Sequence, residues 1–299
     1  MKGRALVYVT NADDDTVSVI QTSDNLVIDT ITVGNTPHGL AVTPNGKFVY
    51  IANANDDTVS VIQTSNNTVV DTISVGSVPN RVAITPNGKF AYVVNLSGDN
   101  VSVIKITDSA VVDTIAVGDF PHGIAITPNG KYAYVASVND NSLSVIRTSD
   151  NLVVDTIRVG TRPIGVAITP NGKFVYVTSE IDDNVSIIQI SDNTVVDTIS
   201  VGNTPFGIAV TPNGKYVYVT NHNDDTVSVI QTSDNTVVDT ITVGNGPIGV
   251  ALTQNSQFAY VANHFDDNVS VIRICDNTVV DIITVGHLPR ELAVTHNRA

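Results

Sequence analysis

Tryptophan is absent from this chain, and cysteine and methionine each occur once. A single cysteine, Cys275, excludes an intrachain disulfide and leaves the redox compartment open. Glutamate is nearly missing: of 29 acidic residues only Glu180 and Glu291 are not aspartate. Aspartate favours turns over helix interiors, so this imbalance points to a chain poor in helix. No window holds a 3.6-residue apolar period. No apolar run has the length of a membrane-spanning helix, and Met1-Lys2-Gly3-Arg4 leads straight into Ala5-Leu6-Val7-Tyr8 without a leader-like stretch. Basic residues are few, 15 against 29 acidic ones, for a net charge of −14. Such a surface repels polyanions, so nucleic acid is excluded as a general partner and membrane insertion is not expected. No nucleophile elbow, Gly-rich phosphate loop, Ser/His/Asp arrangement or EF-hand pattern is readable, and no cofactor is expected.

What the chain does have is one segment written seven times without a slip. Its core string begins at Val17, Val59, Val101, Leu143, Val185, Val227 and Val269. Prolines recur with the same step at 37, 79, 121, 163, 205, 247 and 289, and tyrosines at 8, 50, 92, 134, 176, 218 and 260. The period is 42 residues, and a strict period in this range signals a repeat architecture whose copies bury their apolar faces on one another. No linker or low-complexity tract interrupts it, so residues 1–299 form one domain.

Within one copy, a short apolar run after Pro37 meets the Asn45-Gly46 turn, a strong hairpin signal. Strands from Phe48, Val59 and Thr68 follow, separated by polar turns. Four antiparallel strands in about 40 residues match one blade of a propeller, whose radial stacking buries both sheet faces. The chain starts at a second strand and stops after a first one, Leu292 to Thr295. The expected fold is therefore all-β: a seven-bladed β-propeller with four antiparallel strands per blade. Its ring closes through one C-terminal and three N-terminal strands, in a blade shared by residues 1–35 and 287–299. The aspartate of each fourth strand (29, 71, 113, 155, 197, 239, 281) reads as edge protection. The paired aspartates of the turns after the second strands read as turn residues bonded to their own backbone.

Turns on one face of the ring are nearly identical from copy to copy, whereas the loops before each proline and after each second strand vary. Irregular residues collect on that variable face: both glutamates, five of the six histidines, Arg81, Arg162 and Arg290, and the off-register Phe120, Phe206 and Phe265. The residue after each proline should ring the channel mouth, reading His38, Asn80, His122, Ile164, Phe206, Ile248 and Arg290, with Arg81 and Glu291 next to it. One arc is polar and basic and the other apolar, a pattern that suits a concave ligand site. His222 and His264 in adjacent copies, with Glu180 one copy earlier, are the candidates for a metal site.

Tyr8-Val9-Thr10-Asn11 and Tyr218-Val219-Thr220-Asn221, flanked by Pro-x-Gly-Ile/Val-Ala and Thr-Pro-Asn-Gly-Lys blocks, resemble the YVTN-family β-propeller repeats over essentially the whole chain. The resemblance implies a propeller like those of archaeal and bacterial surface-layer proteins. The expectation drawn from it is a non-catalytic recognition or cell-surface module. It would bind a protein, peptide or glycan through His38, Asn80, Arg81, Phe120, His122, Arg162, Ile164, Phe206, Ile248, Phe265, Arg290 and Glu291. A monomer at the cell surface or in a secreted or periplasmic setting is expected, with the cytoplasm left open. Related seven-bladed lactonases and lyases supply the alternative, a metal-dependent enzyme at the same mouth. A structural tile without a ligand is the third reading.

Overall fold

The computed structural model describes residues 5–295, and the outermost parts of the expected closing blade, 1–4 and 296–299, lie outside them. The described residues form seven four-stranded antiparallel sheets. We number the blades from the closing one. Blade 1 joins Pro289–Val294 to Leu6–Asn11, Thr16–Gln21 and Leu26–Thr32. Blades 2 to 7 begin with the inner strands Pro37–Val42, Pro79–Ile84, Pro121–Ile126, Pro163–Ile168, Pro205–Val210 and Pro247–Leu252.

The seam of blade 1 copies the covalent turns elsewhere. The Thr295 N–H donates to the Leu6 carbonyl at 2.8 Å, and the Leu6 N–H donates to Thr295 Oγ1 at 2.8 Å. Thr43 and Phe48 exchange the same pair of bonds across an intact Pro-Asn-Gly-Lys turn, at 2.9 and 3.0 Å. Backbone donors and acceptors that would otherwise be orphaned at a sheet edge are thereby satisfied.

The second and third strands of every blade are buried at almost every position because both their faces are covered. Each hydrophobic cluster draws on two neighbouring blades; one joins Tyr8, Val17 and Val19 to Val49, Ile51 and Ile62. Burying one such Val or Ile contributes roughly 1.5–3 kcal/mol, and the ring repeats the contact at each interface. The repeating tyrosines are fully buried at these interfaces, yet most of their hydroxyls find a partner across the seam. Tyr8 Oη donates to Asn67 Oδ1 at 2.7 Å, and Asn67 Nδ2 donates to Asp29 Oδ2 at 3.0 Å. The fourth-strand aspartates are thus latches between blades rather than edge guards. The edge itself is bent by a bulge in each outer strand, as between Val27 and Asp29, opposite Val19 and Ile20, in blade 1. At the seam of blades 2 and 3 the turn carries Ser109 where the other copies carry Asn, and Tyr50 and Asp71 make no such bonds among the described residues.

Ring closure has its own sequence cost at the third residue of the inner strand. A Cβ on Gly123 would lie 2.1 Å from the Ile164 carbonyl oxygen, and one on Gly207 2.1 Å from that of Ile248. Glycine therefore stands there in five blades. Blades 3 and 1 carry Arg81 and Glu291 instead.

Candidate active site at the channel mouth

Each inner strand enters the mouth through a linker pinned from both sides. The residue before the proline adopts the left-handed conformation, with φ of 53° at Thr36, 54° at Val78 and 56° at Phe120. Branched and aromatic residues avoid that region unless their surroundings enforce it. Here the Thr36 N–H donates to Asp15 Oδ1 of blade 1 at 2.8 Å, and the Asn35 N–H to Asp56 Oδ2 of blade 2 at 2.7 Å. The Thr36 carbonyl accepts from the Ala54 N–H at 3.0 Å. The acidic rim thus clamps linkers between blades; its carboxylates accept from the linker backbone rather than from their own turns. The residue after each proline is consequently aimed by a rigid frame.

At the mouth His38, Asn80, Arg81, His122, Phe206, Ile248, Arg290 and Glu291 line one small pocket with Gly39. Arg290 Nη1 lies 2.6 Å from His38 Nε2, and His38 Nδ1 lies 3.0 Å from Asn80 Oδ1. A guanidinium only donates, so Nε2 accepts and Nδ1–H donates to the asparagine, which makes His38 the neutral Nδ1–H tautomer. Asn80 Nδ2 in turn donates to the His122 carbonyl at 3.4 Å. Below this chain Arg81 and Glu291 form an ion pair, both largely buried. They reach each other over Gly39, whose Cβ would sit 2.4 Å from the Asn80 carbonyl oxygen and 2.8 Å from Arg81 Cα. The pair divides the mouth from an axial cavity of about 160 Å³ lined by Leu40, Val82, Ile124, Val166 and Ile208.

Electrostatics in this pocket are one-sided. Burial first, then the Arg290 guanidinium, lower the His38 imidazole to about 3. Burial first, then Arg81 and Arg290, push His122 well below the ordinary range. Both imidazoles are neutral at pH 7, which leaves two guanidiniums against one carboxylate. Among the described residues no carboxylate pairs with Arg290, and burial lowers its pKa. A buried charge without a partner is costly, so the site is preset for an anion or a developing oxyanion.

The opposite arc is aromatic and aliphatic. Phe206 meets the His122 ring edge-on at 5.3 Å and faces His222 at 6.3 Å. Phe265 sits between His222 at 5.4 Å and His264 at 5.1 Å. Ile164 is buried in the ring beside this arc. Phe120 and Arg162 stay outside, on the left-handed linker positions, and Arg162 Nε donates to Glu180 Oε2 at 2.7 Å. Glu180, His222 and His264 therefore do not converge: the glutamate is engaged by Arg162, and the Phe265 ring separates the histidines. Among the described residues no three side chains of metal-ligand type gather. Sequence reasoning missed Thr10, whose hydroxyl donates to the His38 carbonyl at 2.6 Å and accepts from the Glu291 N–H at 3.1 Å. It also missed the meeting of Arg81 with Glu291; the signal was the loss of glycine at both positions.

The chain matches the family described as "Lactonase, 7-bladed beta-propeller" over residues 67–153 and 152–238, more than half its length. Residues 2–89 match a YNCE-like β-propeller. Among solved structures, one titled hydrazine synthase from Kuenenia stuttgartiensis superposes with a TM-score of 0.80 at 25% identity, covering 89% of this chain and 91% of the other. A functionally unknown protein from Desulfotomaculum acetoxidans gives a TM-score of 0.88 at 22% identity, with 98% and 99% covered. A putative 6-phosphogluconolactonase from Bacteroides fragilis gives 0.85 at 19%, with 98% of each chain covered. No curated protein matches. The family match overturns the expectation of a non-catalytic recognition or cell-surface module and favours the enzyme alternative, and nothing in the comparisons supports the surface-layer likeness. The physical reason is the mouth itself, where an ion pair and, among the described residues, one guanidinium without a carboxylate are buried rather than spread over an exposed contact surface.

Proposed function

Because the chain belongs to the seven-bladed lactonase β-propeller family, we propose that it hydrolyses a cyclic ester bearing an anionic substituent at the channel mouth. The observation that carries this reading is the buried Arg290 guanidinium, which has no carboxylate partner among the described residues and rests on a neutral imidazole. Hydrolysis of a lactone develops negative charge on the carbonyl oxygen. Guanidinium donors held in a water-poor site stabilise that charge at little reorganisation cost. Arg290 and Arg81 border the pocket in which such an oxygen would sit. His38 and Asn80 hold the Arg290 head in place, while Glu291 offsets one of the two positive charges. The aromatic arc of Phe206 and Phe265 would pack against the apolar edge of the substrate ring.

The residues gathered at the mouth need no metal for this reading, and the histidine pair with Glu180 is not part of it. A pH-stat assay over five- and six-membered lactones, each with and without a carboxylate or phosphate substituent, tests the proposal. The expected result is turnover of an anionic lactone, with kcat/KM reduced about 100-fold or more in Arg290→Gln, the loss typical of removing one oxyanion donor. Equal activity of wild type and Arg290→Gln would contradict it.

A further inference from the structure

Among the described residues Phe265 is the only phenylalanine or tyrosine that is exposed, at 62%. The same step of the other copies carries Asp13, Asn55, Ser97, Asn139, Ile181 and Asn223. A lone exposed apolar side chain needs no explanation by itself. This one, however, is seated, and its seat is a second departure from the repeat. Gly246 stands where the other linkers carry Thr36, Val78, Phe120, Arg162, Thr204 or Leu288, all in the same left-handed conformation. A Cβ on Gly246 would lie 2.5 Å from Phe265 Cδ2 and 3.0 Å from His222 Cε1. The glycine thus removes the side chain that would lift the Phe265 ring away from His222.

The seated ring completes a row that runs from His122 through Phe206, His222 and Phe265 to His264, with centroid steps of 5.3, 6.3, 5.4 and 5.1 Å. Both ends of the row join the anion site. His122 and Phe206 line the mouth pocket with Arg290. At the far end the His264 Nδ1–H donates to the Pro289 carbonyl at 3.1 Å, and Pro289 leads into Arg290. The row offers ring faces rather than hydrogen bonds, since that N–H is used and His222 Nδ1 is buried. Burial lowers the His264 imidazole, the Pro289 bond opposes this, and the Arg290 guanidinium lowers it again, so the ring is neutral at pH 7. The same guanidinium repels a cationic group from this end of the row. A lactone ring covers one step of the row, and the rest extends beyond it.

We infer that this row is a specificity platform for an aryl group: the substrate is an anionic lactone with an aromatic substituent outside its ring, and that substituent packs on Phe265. The inference rests on the lactone-hydrolysis reading for the part of the substrate held at Arg290. Aromatic rings attract one another in offset or edge-on pairs with centroids about 4.5–7 Å apart. The row is already spaced in that way, and Phe265 leaves most of its own surface open for one ring more. Because Gly246 lets the Phe265 ring settle against His222 before any substrate arrives, little side-chain freedom is lost on binding.

The test pair is a five-membered lactone that carries a carboxylate and either a phenyl or a methyl group on its ring. Hydrolysis gives kcat/KM for each, and calorimetry gives Kd for the two ring-opened hydroxy acids. The repeat supplies substitutions that the fold already accepts. Phe265→Asn copies blades 2, 4 and 6, and Gly246→Thr copies the linkers entering blades 2 and 6. Wild type should favour the phenyl lactone by about 10-fold or more in kcat/KM. Phe265→Asn should cut that ratio about 10-fold, and Gly246→Thr should lower it in the same direction. Ile181→Asn, at the same step of blade 5, should leave the ratio unchanged, with cooperative thermal unfolding in all three variants. No phenyl preference in wild type, or a preference that survives Phe265→Asn, would overturn the platform and leave the lactonase reading standing. If wild type hydrolyses neither lactone, the lactonase reading falls and the hydroxy acids decide the platform. A phenyl preference in Kd that Phe265→Asn abolishes then supports it; equal affinity for both acids, or no binding, overturns it.

Discussion

Blades 5 to 7 and blades 1 to 3 are built from the same sentence, yet they meet at the channel mouth with opposite chemistry. In blades 5 to 7 the two residues after the proline are Ile164-Gly165, Phe206-Gly207 and Ile248-Gly249, which close the ring by backbone contact and cover it with apolar side chains. In blades 1 to 3 they are Arg290-Glu291, His38-Gly39 and Asn80-Arg81. Here the glycine has been given up twice, and the two replacements offset each other as an ion pair over the glycine that remains. The scaffold lies in what the copies share, and the chemistry in where they stop agreeing.

That comparison can be broken most severely at the ion pair. Arg81→Gly alone leaves Glu291 buried without its partner, and stability should fall by about 3–5 kcal/mol. Arg81→Gly with Glu291→Gly restores the glycine pattern of the other half, and thermal unfolding should return close to wild type. Next in size is Gly207→Ala, which forces a methyl group against the Ile248 carbonyl; a loss of about 2–3 kcal/mol is expected by chemical denaturation. Alanine at position 81 in the double-glycine background should be milder, because that segment has accommodated arginine.

The imidazoles add a pH signature. His38 is depressed to about 3 and His122 also lies well below its ordinary value, so the unfolded chain binds more protons than the folded one between about 3 and 6.5. Stability should therefore rise with pH through that window and fall on acidification. His38→Asn, which copies blade 3, should flatten this dependence in unfolding measured at pH 4 and pH 7. The smallest expected effect is a gain. Ser109→Asn would place in the seam of blades 2 and 3 the residue that bridges Tyr and Asp in the other seams, at a left-handed φ of 49° that Asn tolerates. A rise of about 1 kcal/mol is expected, seen as a few degrees in the unfolding midpoint.

The ring was legible before the structure because its determinants are local and repeated. Pro37, Tyr50 and Val59 return at one step, Asn45-Gly46 marks the hairpin, and an unfinished copy at each end predicts the shared blade. The placement of His38, Asn80, His122, Phe206 and Arg290 around one mouth followed from the same periodicity. What escaped were relations made by closure rather than by neighbourhood. Asp29 looks like an edge guard until Asn67 of the next blade is seen bonded to it. Asp15 looks like a turn residue until its carboxylate is seen to hold Thr36. Phe120 and Arg162 stand one position before their prolines, and the left-handed turn there points them away from the mouth. The lactonase-like enzyme stood in the sequence only as the alternative, because one fold serves many chemistries and the buried charge balance at the mouth is not displayed by composition.

The account turns on the mouth of blades 1 to 3 being a catalytic site, and the most direct test is lactone hydrolysis by the Arg81→Gly/Glu291→Gly double variant. If the charged departures from the repeat perform the chemistry, this variant unfolds near the wild-type temperature and its kcat/KM drops at least about 100-fold. Wild-type turnover from a ring whose mouth has been returned to glycine at both positions would contradict the account.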